Sequence, residues 1–136
     1  MKLNIGCGQS LMEGYFNIDN GQDSLDLLRN MLVEAKKTGE TFLIMDGNKM
    51  TFLDEMFEEV YSNQCVGIYV TDFKGIVRVM KHGGKIRLGV WANKVGFVLA
   101  KLIEQNVRIT GVEWMNGRYA DIESEEYTLM LEGVKT

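Results

Sequence analysis

The chain reads as an α/β protein: a mostly parallel seven-stranded sheet with helices on both faces and a C-terminal antiparallel hairpin. Three observations predict this. Short apolar runs alternate with segments of helical period along most of the sequence. The first apolar run, Leu3-Asn4-Ile5, passes directly into Gly6-Cys7-Gly8, the kind of turn that leaves the carboxyl end of a parallel strand. The last two β runs face each other across a polar turn.

Lys2 to Ile5 and Phe16 to Asp19 are the first two strands. Ser24 to Lys37 is a helix, because Leu28, Met31, Leu32 and Ala35 share one face. Ser24 or Asp23 caps its start and Gly39 follows its end. Thr41 to Asp46 is an apolar strand ending in an acid, and Glu59 to Asn63 is the fourth strand. Tyr69, Val70, Phe73, Ile76, Val77 and Met80 recur at helical spacing, and Gly83-Gly84 is expected to stop that helix. Lys85 to Trp91 is the fifth strand. Val95, Val98, Leu99, Leu102 and Ile103 form another helical stripe. Val107 to Met115 and Glu126 to Val134 form the hairpin, with Asn116-Gly117 in its turn. Such alternation predicts a parallel sheet covered on both faces. There is no linker, repeat or low-complexity segment, so residues 1–136 are expected to form a single domain.

Composition narrows the class. The chain has 136 residues, 46% of them apolar, enough for one buried core. No apolar run is long enough to span a membrane, and no signal-peptide pattern opens the sequence. Cys7 and Cys65 are too few for a disulfide framework, so a cytoplasmic setting is expected. His82 is the only histidine, so no metal site is expected.

The glycine turn carries the chemistry. Glycine lets a backbone turn sharply and lets a ligand approach closely. Asp19, eleven residues after Gly8, ends the next strand, where a carboxylate can accept two hydrogen bonds from ribose hydroxyls. A dinucleotide fingerprint would need a third glycine opening a helix beneath a pyrophosphate. Leu11 stands at that position, and little room for a helix remains before Gly14. A turn without a phosphate cradle suits a nucleoside without phosphate, and S-adenosylmethionine is the candidate.

Four blocks, in order, carry a family resemblance. They are Lys2-Leu3-Asn4-Ile5-Gly6-Cys7-Gly8, Gly14-Tyr15-Phe16-Asn17-Ile18-Asp19, Phe57-Glu58-Glu59-Val60-Tyr61-Ser62-Asn63, and Arg78-Val79-Met80-Lys81-His82-Gly83-Gly84-Lys85-Ile86-Arg87-Leu88. The chain resembles the class I S-adenosylmethionine-dependent methyltransferases, in particular those that begin with a Lys-Leu-Asn-Leu-Gly-Cys-Gly type run. It departs from them at His82, where the family usually has Pro. Because its first strand opens the sequence and no long insertion follows, the N-terminal helices that often close over the cofactor and a substrate-binding insertion are expected to be absent. The resemblance implies a Rossmann-like fold and these roles. Gly6, Cys7 and Gly8 would line the methionine portion. Asp19 would bind the ribose. Asp46, with the Gly47-Asn48 backbone, would meet the adenine. Asn63 and Gln64 would lie beside the methyl group and the cofactor's amino end; Asn63 is a candidate cofactor-binding residue, and both are candidate catalytic residues. Each acid and amide also has a purely structural reading, as a turn residue at a strand end.

Methyl transfer needs alignment and proximity more than a dedicated acid. The Asn- or Asp-Pro-Pro-aromatic run of enzymes that methylate amino groups of nucleic acids is replaced here by Asn63-Gln64-Cys65-Val66. Cys65 resembles in position the nucleophile of enzymes that methylate pyrimidine carbons, although an inert thiol is the plainer reading. From Phe73 to Ile103 there is no acid, while Lys74, Arg78, Lys81, Lys85, Arg87, Lys94 and Lys101 fall inside. That stretch would suit nucleic acid, but a net charge of −4 favours a solvated face. Two functions remain: a methyltransferase with an unidentified acceptor, or a non-catalytic S-adenosylmethionine-binding homologue, regulator or subunit. Either is expected to self-associate or to recruit a partner chain that covers the cofactor.

Overall fold

Strands whose residues alternate between apolar and polar give a sheet one dry side and one wet side. The computed structural model describes residues 1–8, 10–21, 24–114 and 128–136. Their strands form one seven-stranded sheet. These are β1 (Lys2–Ile5), β2 (Tyr15–Asp19), β3 (Thr41–Ile44), β4 (Phe57–Asn63), β5 (Met80–Trp91), β6 (Val107–Trp114) and β7 (Thr128–Lys135). The spatial order is β3-β2-β1-β4-β5-β7-β6. β1 to β5 run parallel, and β7 lies antiparallel between β5 and β6. The chain winds outward in both directions from β1 and β4. In such sheets the crevice beyond the carboxyl ends at that reversal is where ligands bind.

The first helix, α1 (Leu25–Thr38), keeps its predicted caps. Ser24 Oγ accepts the Leu27 N–H, and Gly39 closes the end with a φ of 76°. Its buried stripe is narrower than the sequence suggests: Met31 and Ala35 are buried, while Leu32 is exposed. The second helix, α2 (Phe73–Arg78), is much shorter than the predicted Tyr69–Met80 stretch. Its start is fixed by Asp72, whose carboxylate accepts the Gly75 N–H at 3.0 Å. The residues before it are held as a turn, because the N–H groups of Ile68, Tyr69 and Val70 all reach the Cys65 carbonyl. Its end comes early because Val79 and Met80 are drawn into the sheet beside Phe57. Gly83-Gly84 therefore does not stop a helix; it lies inside β5. A 3-10 turn, Ala92–Lys94, leads into α3 (Val95–Glu104), which buries Val98 and Leu102 and leaves Ile103 exposed. The hairpin strands stand where the sequence places them, with an irregularity between Ile109 and Gly111. The predicted turn at Asn116-Gly117 lies outside the described residues.

Right-handed crossovers put α1 on one face and α2 and α3 on the other. Phe73 of α2 and Phe97 of α3 meet edge to face at 5.9 Å. The sheet side beneath them is the core. Register aligns Leu3, Phe16, Val60 and Ile86 in one row and Ile5, Ile18, Ser62 and Leu88 in the next. All but Phe16 are buried. Among the described residues no helix is long and apolar enough to cross a membrane.

Candidate functional site

The site is built where β1, β2 and β4 end. Gly6 and Gly8 adopt left-handed backbone, with φ of 64° and 53°. At Gly6 a side chain is excluded for a second reason: its Cβ would run into Cys65 Sγ. Nothing lies within 4 Å of the position a Cβ would take on Gly8, so that side of the turn is open. Among the described residues no helix forms between β1 and β2, as the missing third glycine implied.

Two asparagines hold the loop that takes the helix's place. Asn4 and Asn17 are buried within otherwise apolar strands. Asn4 Nδ2 donates to Ser10 O at 3.0 Å and to Asn17 Oδ1 at 2.9 Å. Asn17 Oδ1 also accepts the Met12 N–H at 2.9 Å, and Asn17 Nδ2 donates to Met12 O and to Thr41 O. A buried amide that satisfies several backbone groups fixes a loop firmly, because leaving those groups unpaired is costly. Sequence reasoning assigned neither residue a role. Their signal is an amide at the centre of each apolar strand.

The acids and amides at the edge stand as follows. Asp19 bridges two turns: Oδ2 accepts the Gly8 N–H at 2.9 Å and Oδ1 the Gly21 N–H at 2.8 Å. It therefore shapes the glycine turn, and each oxygen keeps a further lone pair for a ligand hydroxyl. Asp46 opens a tight turn, with Oδ1 accepting the Asn48 N–H at 2.9 Å. Gly47 is packed so closely that a Cβ there would strike Val70 and Ile5. The Asn48 side chain is committed to the fold: Nδ2 donates to Tyr69 O, and Oδ1 accepts the Thr71 and Asp72 N–H groups. What it can offer an adenine ring is its backbone.

At the end of β4, Asn63 and Gln64 differ sharply. Gln64 has a φ of 56°; its N–H reaches Gly89 O, and its Nε2 donates to Thr128 Oγ1 at 3.0 Å on β7. Asn63 Oδ1 is buried and has no hydrogen-bond partner among the described residues. The residue Asn63 lines a pocket of about 210 Å³ together with Asn4, Gly6, Cys7, Ser10, Met12 and Tyr61. Buried acceptors are normally paired, so Asn63 Oδ1 has capacity for a donor from an ordered water or a ligand. The pocket thus joins Gly6, Cys7 and Asn63, three of the predicted site residues, with Asn4, Ser10, Met12 and Tyr61, to which the sequence assigned no role.

Burial, with the nearby Asp19 carboxylate adding to it, pushes the Cys7 thiol up to about 12. At neutral pH it is a protonated wall of the pocket, not a nucleophile. The basic stretch does not form one patch. Arg78 turns inward, where Nη1 donates to Phe52 O and pairs with Asp54 at 2.7 Å and Nη2 reaches Met50 O, and Lys81 lies on β5, not on the helix. No group of His, Cys, Asp and Glu that could hold a metal occurs among the described residues.

No family model and no curated protein matches the chain by sequence. Solved structures do. The chain is similar to an S-adenosylmethionine-dependent methyltransferase from Mesorhizobium loti, at 16% identity and a TM-score of 0.73, covering 98% of this chain and 89% of that one. It is equally similar to the methyltransferase in the Haloferax volcanii complex with the Trm112 methyltransferase activator, at 13% identity and a TM-score of 0.73, covering 98% and 81%. It also resembles the [4+2]-cyclase SpnF, at 14% identity and a TM-score of 0.75, covering 98% and 73%. At these identities the likeness is one of fold. The chain has the Rossmann-like fold of the class I S-adenosylmethionine-dependent methyltransferases.

Proposed function

We propose that this chain binds S-adenosylmethionine and transfers its methyl group to an acceptor not yet identified. The observation that carries the reading is that Asn63, whose buried Oδ1 has no partner among the described residues, lines a pocket with Gly6 and Cys7 at the end of β4. An ammonium group is the donor such an oxygen lacks, and the methionine portion carries one. The residues present fit the remaining parts of the molecule. Gly6, Cys7 and Gly8 border the methionine, Asp19 takes the ribose hydroxyls, and Asp46 with the Gly47-Asn48 backbone meets the adenine. The glycine turn offers no cradle for phosphate, which argues against a dinucleotide.

When bound, the cofactor supplies an electrophilic methyl on a sulfonium, which an acceptor takes by in-line displacement. This chain's contribution is to hold that methyl near Asn63 and Gln64 and to exclude competing geometries, with reacting atoms approaching to about 3–3.5 Å. No side chain at the site has to act as a nucleophile, which suits the protonated Cys7. The domain acts as one unit in the cytoplasm, and a second copy or a partner subunit covers the cofactor. The activator-bound Haloferax volcanii neighbour supports the partner reading. The alternative is a non-catalytic S-adenosylmethionine-binding homologue, regulator or subunit; the cyclase neighbour is a reminder that the fold alone does not fix the reaction.

Labelled methyl donor incubated with pools of RNA, DNA, protein and small metabolites tests the proposal. Transfer to one pool is expected, and Gly8→Val, which pushes a side chain into the open side of the turn, is expected to abolish it. Binding without transfer to any pool, with or without cellular partners, would favour the non-catalytic alternative.

A further inference from the structure

Gln64 stands out because a non-glycine residue in the left-handed region costs energy and persists only where its surroundings impose it. Two hydrogen bonds impose it here, from its N–H to Gly89 O at 2.8 Å and from its Nε2 to Thr128 Oγ1 at 3.0 Å. Thr128 is only 2% exposed, so its end of this part-buried bond is shielded from water. The residue just before the strained one is Asn63, which lines the pocket and whose buried amide oxygen has no partner among the described residues. The Gln64 N–H bond to Gly89 O fixes the peptide that joins it to Asn63, so the turn at Gln64 anchors the C-terminal side of Asn63 at the end of β4.

Resting on the cofactor reading above, we infer that Gln64 is a positioning residue and that its bond to Thr128 is a clasp between β4 and β7. The clasp holds the left-handed turn, and the turn aims Asn63 at the ligand's ammonium group. Gln64 itself touches neither methyl nor acceptor. The clasp also links the cofactor pocket to the first described residue of β7, so the hairpin end of the sheet bears on ligand affinity.

Calorimetric titration of the full chain with S-adenosylhomocysteine separates this role from a direct contact. Gln64→Ala keeps the strain and loses the clasp, and is expected to weaken binding about tenfold. Gln64→Gly adopts the same turn without strain and is expected to bind within about twofold of the parent. Thr128→Val is expected to weaken binding about fivefold, Thr128→Ser to restore it, and Thr128→Val added to Gln64→Ala to cost nothing more. Equal losses in Gln64→Gly and Gln64→Ala would make Gln64 a direct contact and overturn the inference. Parental affinity in every variant would overturn it as well, while leaving the cofactor reading intact. A parent chain that does not bind at all would overturn both.

Discussion

The two faces of the sheet are built on opposite principles. Toward α2 and α3, Leu3, Ile5, Ile18, Val60, Ile86 and Leu88 are at most 1% exposed. The other side, one residue out of register, carries Lys2, Tyr15, Glu59, Tyr61, Arg87 and Glu132. There the side chains satisfy one another. Tyr15 donates to Glu59 at 2.7 Å, Lys2 pairs with Glu59 at 3.6 Å, and Arg87 pairs with Glu132 at 3.4 Å and lies over the Tyr61 ring. α1 packs at the β3 end of this side, and the 10–13 loop, tied down by Asn4 and Asn17, stands above its centre. Parallel sheets are normally dry on both faces. This one places its stability on one face and its candidate site on the margin of the other, where Tyr61 and Asn63 share a pocket.

Single substitutions on the two faces test that division directly. Leu88→Ala is expected to cost about 2–5 kcal/mol, as buried leucines do; a urea titration measures it. An exposed side chain at Leu88 would have no such effect. Asn17→Leu should cost about 1–3 kcal/mol for each backbone group it leaves unpaired. It should also weaken adenosyl-ligand binding, since the loop it holds borders the pocket. A stable variant with normal binding would show that the loop holds itself.

Alkaline titration distinguishes the wet face from the turn. Tyr15 is raised from 10.0 to about 12 by partial burial and by its bond to Glu59, and Cys7 from 9.0 to about 12. In both, the folded chain holds its proton more tightly than the unfolded chain. The stability they contribute is therefore complete below pH 9 and falls as pH rises toward 12. Tyr15→Phe should remove the part that begins near pH 10, and Cys7→Ala the part that begins near pH 9. An unchanged alkaline limb in both variants would contradict these environments. The smallest effect is expected at Arg87→Ala, under about 1 kcal/mol, because its ion pair with Glu132 is solvated.

The fold was legible because its signals are local. Strand periodicity, the Ser24 and Gly39 caps and the apolar stripe of α3 are each written in a few adjacent residues. The same alternation also encoded the wet face: Lys2 and Asn4 against Leu3 and Ile5, Tyr61 against Val60 and Ser62. Helices do lie on both faces, but on this one α1 covers only the β3 end and the 10–13 loop the centre. What could not be read depends on distant partners. The length of α2 is set by Asn48, some two dozen residues before it, and by the pull of Phe57 on Val79. Arg78 left the predicted basic face because the carbonyls of Met50 and Phe52 lie within its reach. At the site, glycines and strand-end acids announce themselves, whereas the Asn4–Asn17 staple and the Gln64–Thr128 clasp join residues 13 and 64 positions apart.

The central claim is that Asn63 Oδ1 takes its donor from an adenosyl amino-acid ligand. Calorimetry of the parent and of Asn63→Ala with S-adenosylhomocysteine and NAD tests it most directly. The expected result is one adenosylhomocysteine per chain, no NAD binding, and a loss of about tenfold in Asn63→Ala, the scale of a buried hydrogen bond to a charged group. Equal affinity in parent and variant, or binding of NAD in place of adenosylhomocysteine, would contradict it.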